Sequence, residues 1–526
     1  MLPGRDWFPR RLAALLAPAV CAVALPVATS NHLDWPVGGH DVANTRSNPF
    51  EKKIDRFNAS DLTVKWTIPT QGEISATPAV VDGAVYFPDW AGYLTKADAS
   101  SGRVIWSRQV SEYTGLERNV SRTSPAVSHG IVYIGDQGGS VGAGARLMAI
   151  DAQTGDLVWS RLVDDHPAAQ LTQAPMVHDG VVYQGVSSVE FALAGDPDYP
   201  CCTFRGNVVA LDAATGRILW RTYTVPDNGG APGGYSGASV WGGTPAIDPR
   251  RGRVYVTTGN NYTVPQEAKD CQNAGGTPAE CLSPDDHVDS VLALDMRTGA
   301  IEWAAGPEIF DDWNGGCLPG FPPDNCPDNP GPDWDFGTGA QLFVAHVDGR
   351  SRRVVGAGQK SGQYWLLDAR TGEILWSAAA GPGGVNGGIQ WGTATDGRRI
   401  YLAEANFERR PYELPNGQTI DYGSFAALDP ATGRILWQTA DPSQDIDTAA
   451  VTVANGVMYA GSLSGRMFAL DAATGDVLWD FQGDGPSAAG PAVVDGTVYW
   501  GNGYPNRLEI PSPPSPSTFY AFSVPA

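Results

Sequence analysis

The chain has 526 residues, with 35 Lys plus Arg against 57 Asp plus Glu and a formal net charge of −22. A surface this acidic repels DNA, RNA and anionic lipid, and no basic stripe compensates, so a nucleic-acid partner is not expected. Hydrophobic residues make up 42% and charged residues 17%, while 64 Gly and 41 Pro lie scattered without a three-residue period; this points to a large-cored all-β globular protein and away from collagen, coiled coil or disorder.

At the N-terminus, Arg5, Arg10 and Arg11 precede the apolar run Leu12 to Val27, and the small residues Ala28, Thr29 and Ser30 follow it. That layout predicts a secretory signal over residues 1–30, too short and proline-broken for a comfortable membrane span. The remainder, residues 31–526, is then expected in the periplasm or secreted, with no membrane span of its own. Cys21 would leave with the signal. The six other cysteines fall as three local pairs, Cys201 with Cys202, Cys271 with Cys281, and Cys317 with Cys326. An oxidising compartment favours disulfides over zinc for such pairs. No Cys-x-x-Cys occurs, so a zinc ribbon, a thioredoxin-type site and a covalently attached haem have no support.

A repeat organises the rest. Asp-x-x-x-Gly-x-x-x-Trp recurs seven times, at Asp98/Gly102/Trp106, Asp151/Gly155/Trp159, Asp212/Gly216/Trp220, Asp295/Gly299/Trp303, Asp368/Gly372/Trp376, Asp429/Gly433/Trp437 and Asp471/Gly475/Trp479. Each copy reads as a hairpin: Asp accepts N–H groups of the turn, Gly takes the positive φ, and Trp is too large to leave exposed and wedges against a neighbouring unit. Phrases such as TPAVVDGAVYF (77–87) and GPAVVDGTVYW (490–500) supply a second strand pair upstream of a hairpin. Four strands per unit make a propeller blade. Residues 488–525 lack a hairpin of their own, and LTVKWTIP (62–69) carries an orphan Trp66. Joining the two chain ends predicts an eighth blade, and so a single eight-bladed β-propeller over residues 31–526 without open sheet edges. The Trp spacings vary from 42 to 83 residues, and the excess over a bare blade is expected as loops on one functional face.

These ALDxxTGxxxW repeats resemble the quinoprotein alcohol dehydrogenases, propellers that hold pyrroloquinoline quinone (PQQ) and a metal ion on the axis. GGHDVANTRSNPF (38–50), VSSVEFALAGDPDYPCCTFRG (186–206), SVWGGTPAIDPRRGRVYVTTGNNY (239–262) and AAGPAVVDGTVYWGNGY (488–504) are most similar to the polyvinyl-alcohol dehydrogenases within that family. The repeat alone is a scaffold, since non-catalytic propellers of the cell envelope share it.

The resemblance implies a hard dication held by Glu190 of VSSVE, Asn260 of TTGNN and Asp335 of DWDFG. Gly337 stands where lanthanide-using relatives place a second carboxylate, which favours calcium. Asp335 is implied as the catalytic base in preference to Asp311 and Asp312, because DWDFGTGAQLF runs directly into the strand before Lys360. Judged by position alone, Glu190 also fits an ordinary loop acid, Asn260 ordinary turn chemistry, and Lys360 a solvated hairpin lysine. For PQQ itself the family pattern implies Trp241 as an aromatic floor, Arg122 and Thr172 on its carboxylates, Lys360 by the quinone oxygens, and further contacts from Ser187, Ser188, Gln390 and Trp391. Cys201 and Cys202 are similar to the vicinal disulfide that caps the quinone in many relatives, but here they follow Glu190 instead of preceding Arg122. Two separate thiols or crossed pairings are the alternative.

The implied activity is oxidation of secondary alcohol groups, with polyvinyl alcohol as substrate and an external acceptor such as a soluble cytochrome c, whose basic face would suit the acidic surface. Dehydrogenation of other small or polymeric alcohols, and a non-catalytic envelope propeller, are the competing readings.

Overall fold

The computed structural model describes residues 33–504 and 516–525, together with Met1. The secretory signal expected over residues 1–30 lies outside the described residues. Eight four-stranded antiparallel sheets follow one another along the chain. The first blade comprises Ala79–Val81, Ala84–Pro88, Tyr93–Asp98 and Val104–Gln109. The eighth joins the chain ends: Ala492–Val494, Thr497–Gly501 and Ser517–Ser523 accept Thr63–Thr70 as outer strand, with Trp66 opposite Ala521. First strands of neighbouring blades touch around the axis. There Ser47–Asn48 adds in parallel to Thr452–Ala454 of the seventh blade.

The hairpin repeat explains the ring. Asp98 Oδ1 accepts the N–H groups of Ser100 and Ser101, and the other copies repeat this turn. Each Trp then reaches the next blade: the indole of Trp106 donates to Ala152 O at 3.2 Å, Trp159 to Ala213 O at 3.0 Å and Trp220 to Met296 O at 3.0 Å. For these three, and for Trp376 and Trp437, the acceptor is the residue after the next repeat's Asp. The turn glycine serves two purposes. Gly299 has φ +74°, and a Cβ there would stand 2.5 Å from the Trp220 ring; its lack of a side chain both permits the turn and admits the indole. Trp66 and Trp479 make the same contact across the junction of the chain ends, to Ala99 O and Leu62 O. Trp303 departs from the pattern: its indole N–H makes no such bond, and Arg253 and Tyr255 donate to the equivalent carbonyl of Ala369.

Strands one and two of a blade meet in two-residue turns such as Asp82-Gly83 and Asn455-Gly456, with positive φ at both positions. These are the turns whose twist matches that of paired strands. All three cysteine pairs form disulfides.

Candidate active site

In an antiparallel meander, the links between strands two and three, and from strand four to the next blade, fall on the face opposite the Asp-Gly-Trp turns. The long insertions use only these links. Residues 189–206 join Val181–Ser188 to Asn207–Asp212 in the third blade. Residues 306–340 join Ile301–Ala305 of the fourth blade to Gln341–Val347 of the fifth. The Cys271–Cys281 and Cys317–Cys326 disulfides staple loops on this face.

Below these loops lies a cavity of about 290 Å³. Arg122, Thr172, Ser187, Ser188, Trp241, Asn260, Asp335, Lys360 and Trp391, expected from widely separated parts of the chain, all line it. At its centre Asp335 is 6% exposed. Its Oδ2 accepts from the Trp241 indole at 3.0 Å and faces Lys360 Nζ at 3.0 Å. Its Oδ1 accepts the backbone N–H of Asn260 at 2.5 Å. The Asn260 side-chain nitrogen donates to Trp313 O at 2.7 Å, which turns its amide oxygen away from that carbonyl.

Lys360 is buried and lies between two carboxylates, since its Nζ also donates to both oxygens of Asp333 at 3.1 Å. Burial raises the Asp333 carboxyl well above its usual range, against the opposing pull of Lys360. Asp333 takes φ +59°, a conformation that Asp tolerates better than most residues. Asp311 holds this turn open: its buried carboxylate accepts the N–H groups of Asp333 at 3.0 Å and Trp334 at 2.7 Å. Burial pushes Asp311 itself up to about 7.

Aromatic walls frame the other end. Trp241 and Trp391 meet edge to face with centroids 5.2 Å apart, and the Arg122 guanidinium lies 4.4 Å from the Trp391 ring centre. Trp90 and Tyr504 complete an aromatic surround for Arg122. Ser187 Oγ and Thr172 Oγ1 are 3.0 Å apart. Ser188 and Ser239 meet the hydroxyl of Tyr262, at 3.5 and 2.6 Å.

The remaining expected residues lie beside this cavity, not on its wall. Gln390 donates to Gly387 O at 3.1 Å. Glu190 is fully buried in a short helix, Glu190–Leu193, and its own loop engages its carboxylate. The N–H groups of Thr203 and Phe204 donate at 2.9 and 2.7 Å, and the Tyr199 hydroxyl at 3.1 Å. Cys201 and Cys202, bonded to each other, immediately precede those two N–H groups.

Sequence reasoning missed Asp333, Tyr262, Ser239 and Asn386, which also line the cavity, and Asp311, which positions the turn. Asp333 carried a visible signal, the acid two residues before Asp335, but spacing does not reveal which acid meets Lys360. Among the described residues no group of three or more His, Cys, Asp or Glu side chains is arranged to hold a metal, and no helix is long and apolar enough to cross a membrane.

Residues 35–306 match the family described as glucose/ethanol/alcohol dehydrogenase, β-propeller domain, and residues 360–508 match one described as outer membrane protein assembly factor BamB. A polyvinylalcohol dehydrogenase of Pseudomonas sp. is 30% identical over 92% of this chain and 75% of its own length. A polyvinylalcohol dehydrogenase of Sphingopyxis sp. (strain 113P3) is 29% identical over 93% and 76%. The solved structure of the quinohemoprotein alcohol dehydrogenase from Comamonas testosteroni superposes with a TM-score of 0.69 at 22% identity, covering 94% of this chain and 80% of that one, and shares its fold.

Proposed function

The chain belongs to the PQQ-dependent alcohol dehydrogenase family, and from that premise we propose that it oxidises secondary hydroxyl groups of polyvinyl alcohol and passes the electrons to an external acceptor such as a cytochrome c. The observation that carries this reading is the convergence of Asp335, Lys360, Trp241, Arg122 and Thr172 on one cavity.

The residues present fit a flat, polyanionic cofactor. Arg122 faces aromatic rings, and among the described residues no carboxylate pairs with it. Indole walls and a row of hydroxyls suit a planar ring and its carboxylates. For calcium, Asp335 and the amide oxygen of Asn260 supply hard oxygen donors at the cavity. Glu190 is held by the N–H groups of Thr203 and Phe204 and does not line the cavity.

When bound, PQQ supplies the electrophilic carbon that accepts hydride, with calcium polarising the carbonyl. The protein's own part is binding and proton transfer. Asp335, anchored by Trp241, Asn260 and Lys360, takes the hydroxyl proton at a carboxylate oxygen. Lys360 offers positive charge in a water-poor site, where it counts for more than in bulk solvent. Trp241 would hold the quinone ring by its indole face, and Arg122 and Thr172 would hold its carboxylates. Leu318, Pro319 and Phe321 of the Cys317–Cys326 loop line the mouth and limit water. Three disulfides fit a periplasmic or secreted protein.

Reconstitution with PQQ and calcium, followed by dye reduction on polyvinyl alcohol and on small secondary alcohols, tests the reading. Turnover restricted to small alcohols would leave the dehydrogenase and reject the polymer. Failure to bind the quinone would favour a non-catalytic propeller.

A further inference from the structure

Residues 38–48 cross the propeller axis beneath the cavity, and Arg46 on this segment is 4% exposed. Its Nε donates to Val451 O at 2.7 Å and one terminal nitrogen to Gly38 O at 2.7 Å. The other terminal nitrogen reaches the hydroxyls of Thr77 at 3.1 Å and Thr452 at 3.4 Å. Every one of these partners is neutral, and among the described residues no carboxylate pairs with Arg46. The side chain fits because Gly392 and Gly490 flank it; a Cβ on either would collide with the arginine.

Arg46 and Arg122 face a common chamber of about 50 Å³, whose other walls include Thr77, Ser124, Thr172 and Thr244 and, among the described residues, contain no acid. The chamber shares Arg122, Thr172 and Trp391 with the larger cavity above it. A buried cation without a counter-charge is costly, and a second cation facing the same space adds repulsion. An oxyanion removes both penalties, because guanidinium forks and hydroxyls donate to its oxygens together. Burial alone draws the Arg46 guanidinium down to about 9, consistent with a charge that lacks a partner of opposite sign.

We infer that this axial chamber is an anion site, in which Arg46 and Arg122 jointly receive one carboxylate-sized group. The group has two possible sources, a carboxylate arm of the quinone projecting down from the cavity, or a free small anion. Only the first source rests on the proposed function.

The test uses the full chain, free of cofactor, with formate as probe and gluconate at equal ionic strength as an anion too bulky for the chamber. Formate is expected to raise the thermal midpoint of the wild type over gluconate, by an amount that Arg46→Gln abolishes and Arg46→Lys partly keeps. If Arg46→Gln does not fold, Arg46→Lys and Thr77→Val give the same reading. PQQ is then titrated by quenching of tryptophan fluorescence. A tenfold weakening of PQQ by saturating formate assigns the site to the cofactor's carboxylate, whereas unchanged PQQ affinity alongside a formate-dependent midpoint assigns it to a free anion. A midpoint indifferent to formate together with PQQ binding indifferent to formate overturns the inference, as does a formate effect of equal size in the wild type and the Arg46 variants. A protein that responds to formate but binds no quinone keeps the anion site and loses the cofactor reading.

Discussion

The two faces of the propeller are built on opposite principles. On one, the Asp-Gly-Trp turns repeat with little variation, and each turn glycine meets the preceding blade's indole at the same place. On the other, loops of unequal length carry buried charge: Lys360 between Asp333 and Asp335, Asp311 beneath them, and Glu404 at a strand end. The first face stores stability in contacts that any blade can copy. The second places unlike side chains once each, at the cost of burying polar groups, and chemistry needs that singular arrangement.

Substitutions on the two faces should therefore separate turnover from stability. The largest effect is expected for Asp335→Asn, whose single amide oxygen can accept from only one of the Trp241 and Asn260 N–H groups and which cannot take a proton; turnover by dye reduction should fall about a thousandfold, a far larger change than the lowering of the melting midpoint. Wild-type turnover would move the base elsewhere. Asp311→Ala removes the acceptor for two N–H groups of the 333–335 turn, and turnover should fall about a hundredfold as Asp335 shifts. A larger loss of stability than of turnover would make Asp311 a fold residue only.

The opposite face sharpens the contrast. Gly299→Ala forces a Cβ against Trp220 at a positive φ, and denaturant unfolding should show a loss of about 2 kcal/mol with kcat retained. A drop in kcat as large as that in stability would show that the two faces are coupled. The smallest effect on turnover is expected for Glu404→Gln, because Glu404 does not line the cavity. Burial raises the Glu404 carboxyl to about 8 from a usual value of 4.5. Between those values the folded chain holds a proton that the unfolded chain has released, so this group makes stability fall as pH rises through that window. The glutamine variant should match the wild type near pH 5 and fall less steeply towards pH 8 in chemical denaturation. Parallel curves would show that Glu404 ionises normally.

The same contrast decides what was legible. The turn face was readable because its determinants are local: an Asp, a Gly and a Trp at fixed spacing carry their own geometry, and the orphan Trp66 announced the closing blade. On the site face, Trp241, Asn260, Asp335 and Lys360 were found through likeness to a family, and their meeting follows from blades that lie far apart in sequence. Asp333 and Arg46 stood in plain view within quoted segments, yet nothing local distinguishes an acid that binds Lys360 from one that does not, or an arginine on the axis from one at the rim.

The sequence by itself determined the blade, the number of blades and the way the ring closes, because period, turn chemistry and tryptophan volume act over a dozen residues. Only the tertiary structure decided which charges share a site. It set Lys360 between two aspartates, tied Glu190 to the loop of Cys201 and Cys202, and gave Arg46 no acid partner among the described residues. Such pairings depend on distances between loops whose course is fixed by packing against one another, and chain spacing carries no record of them.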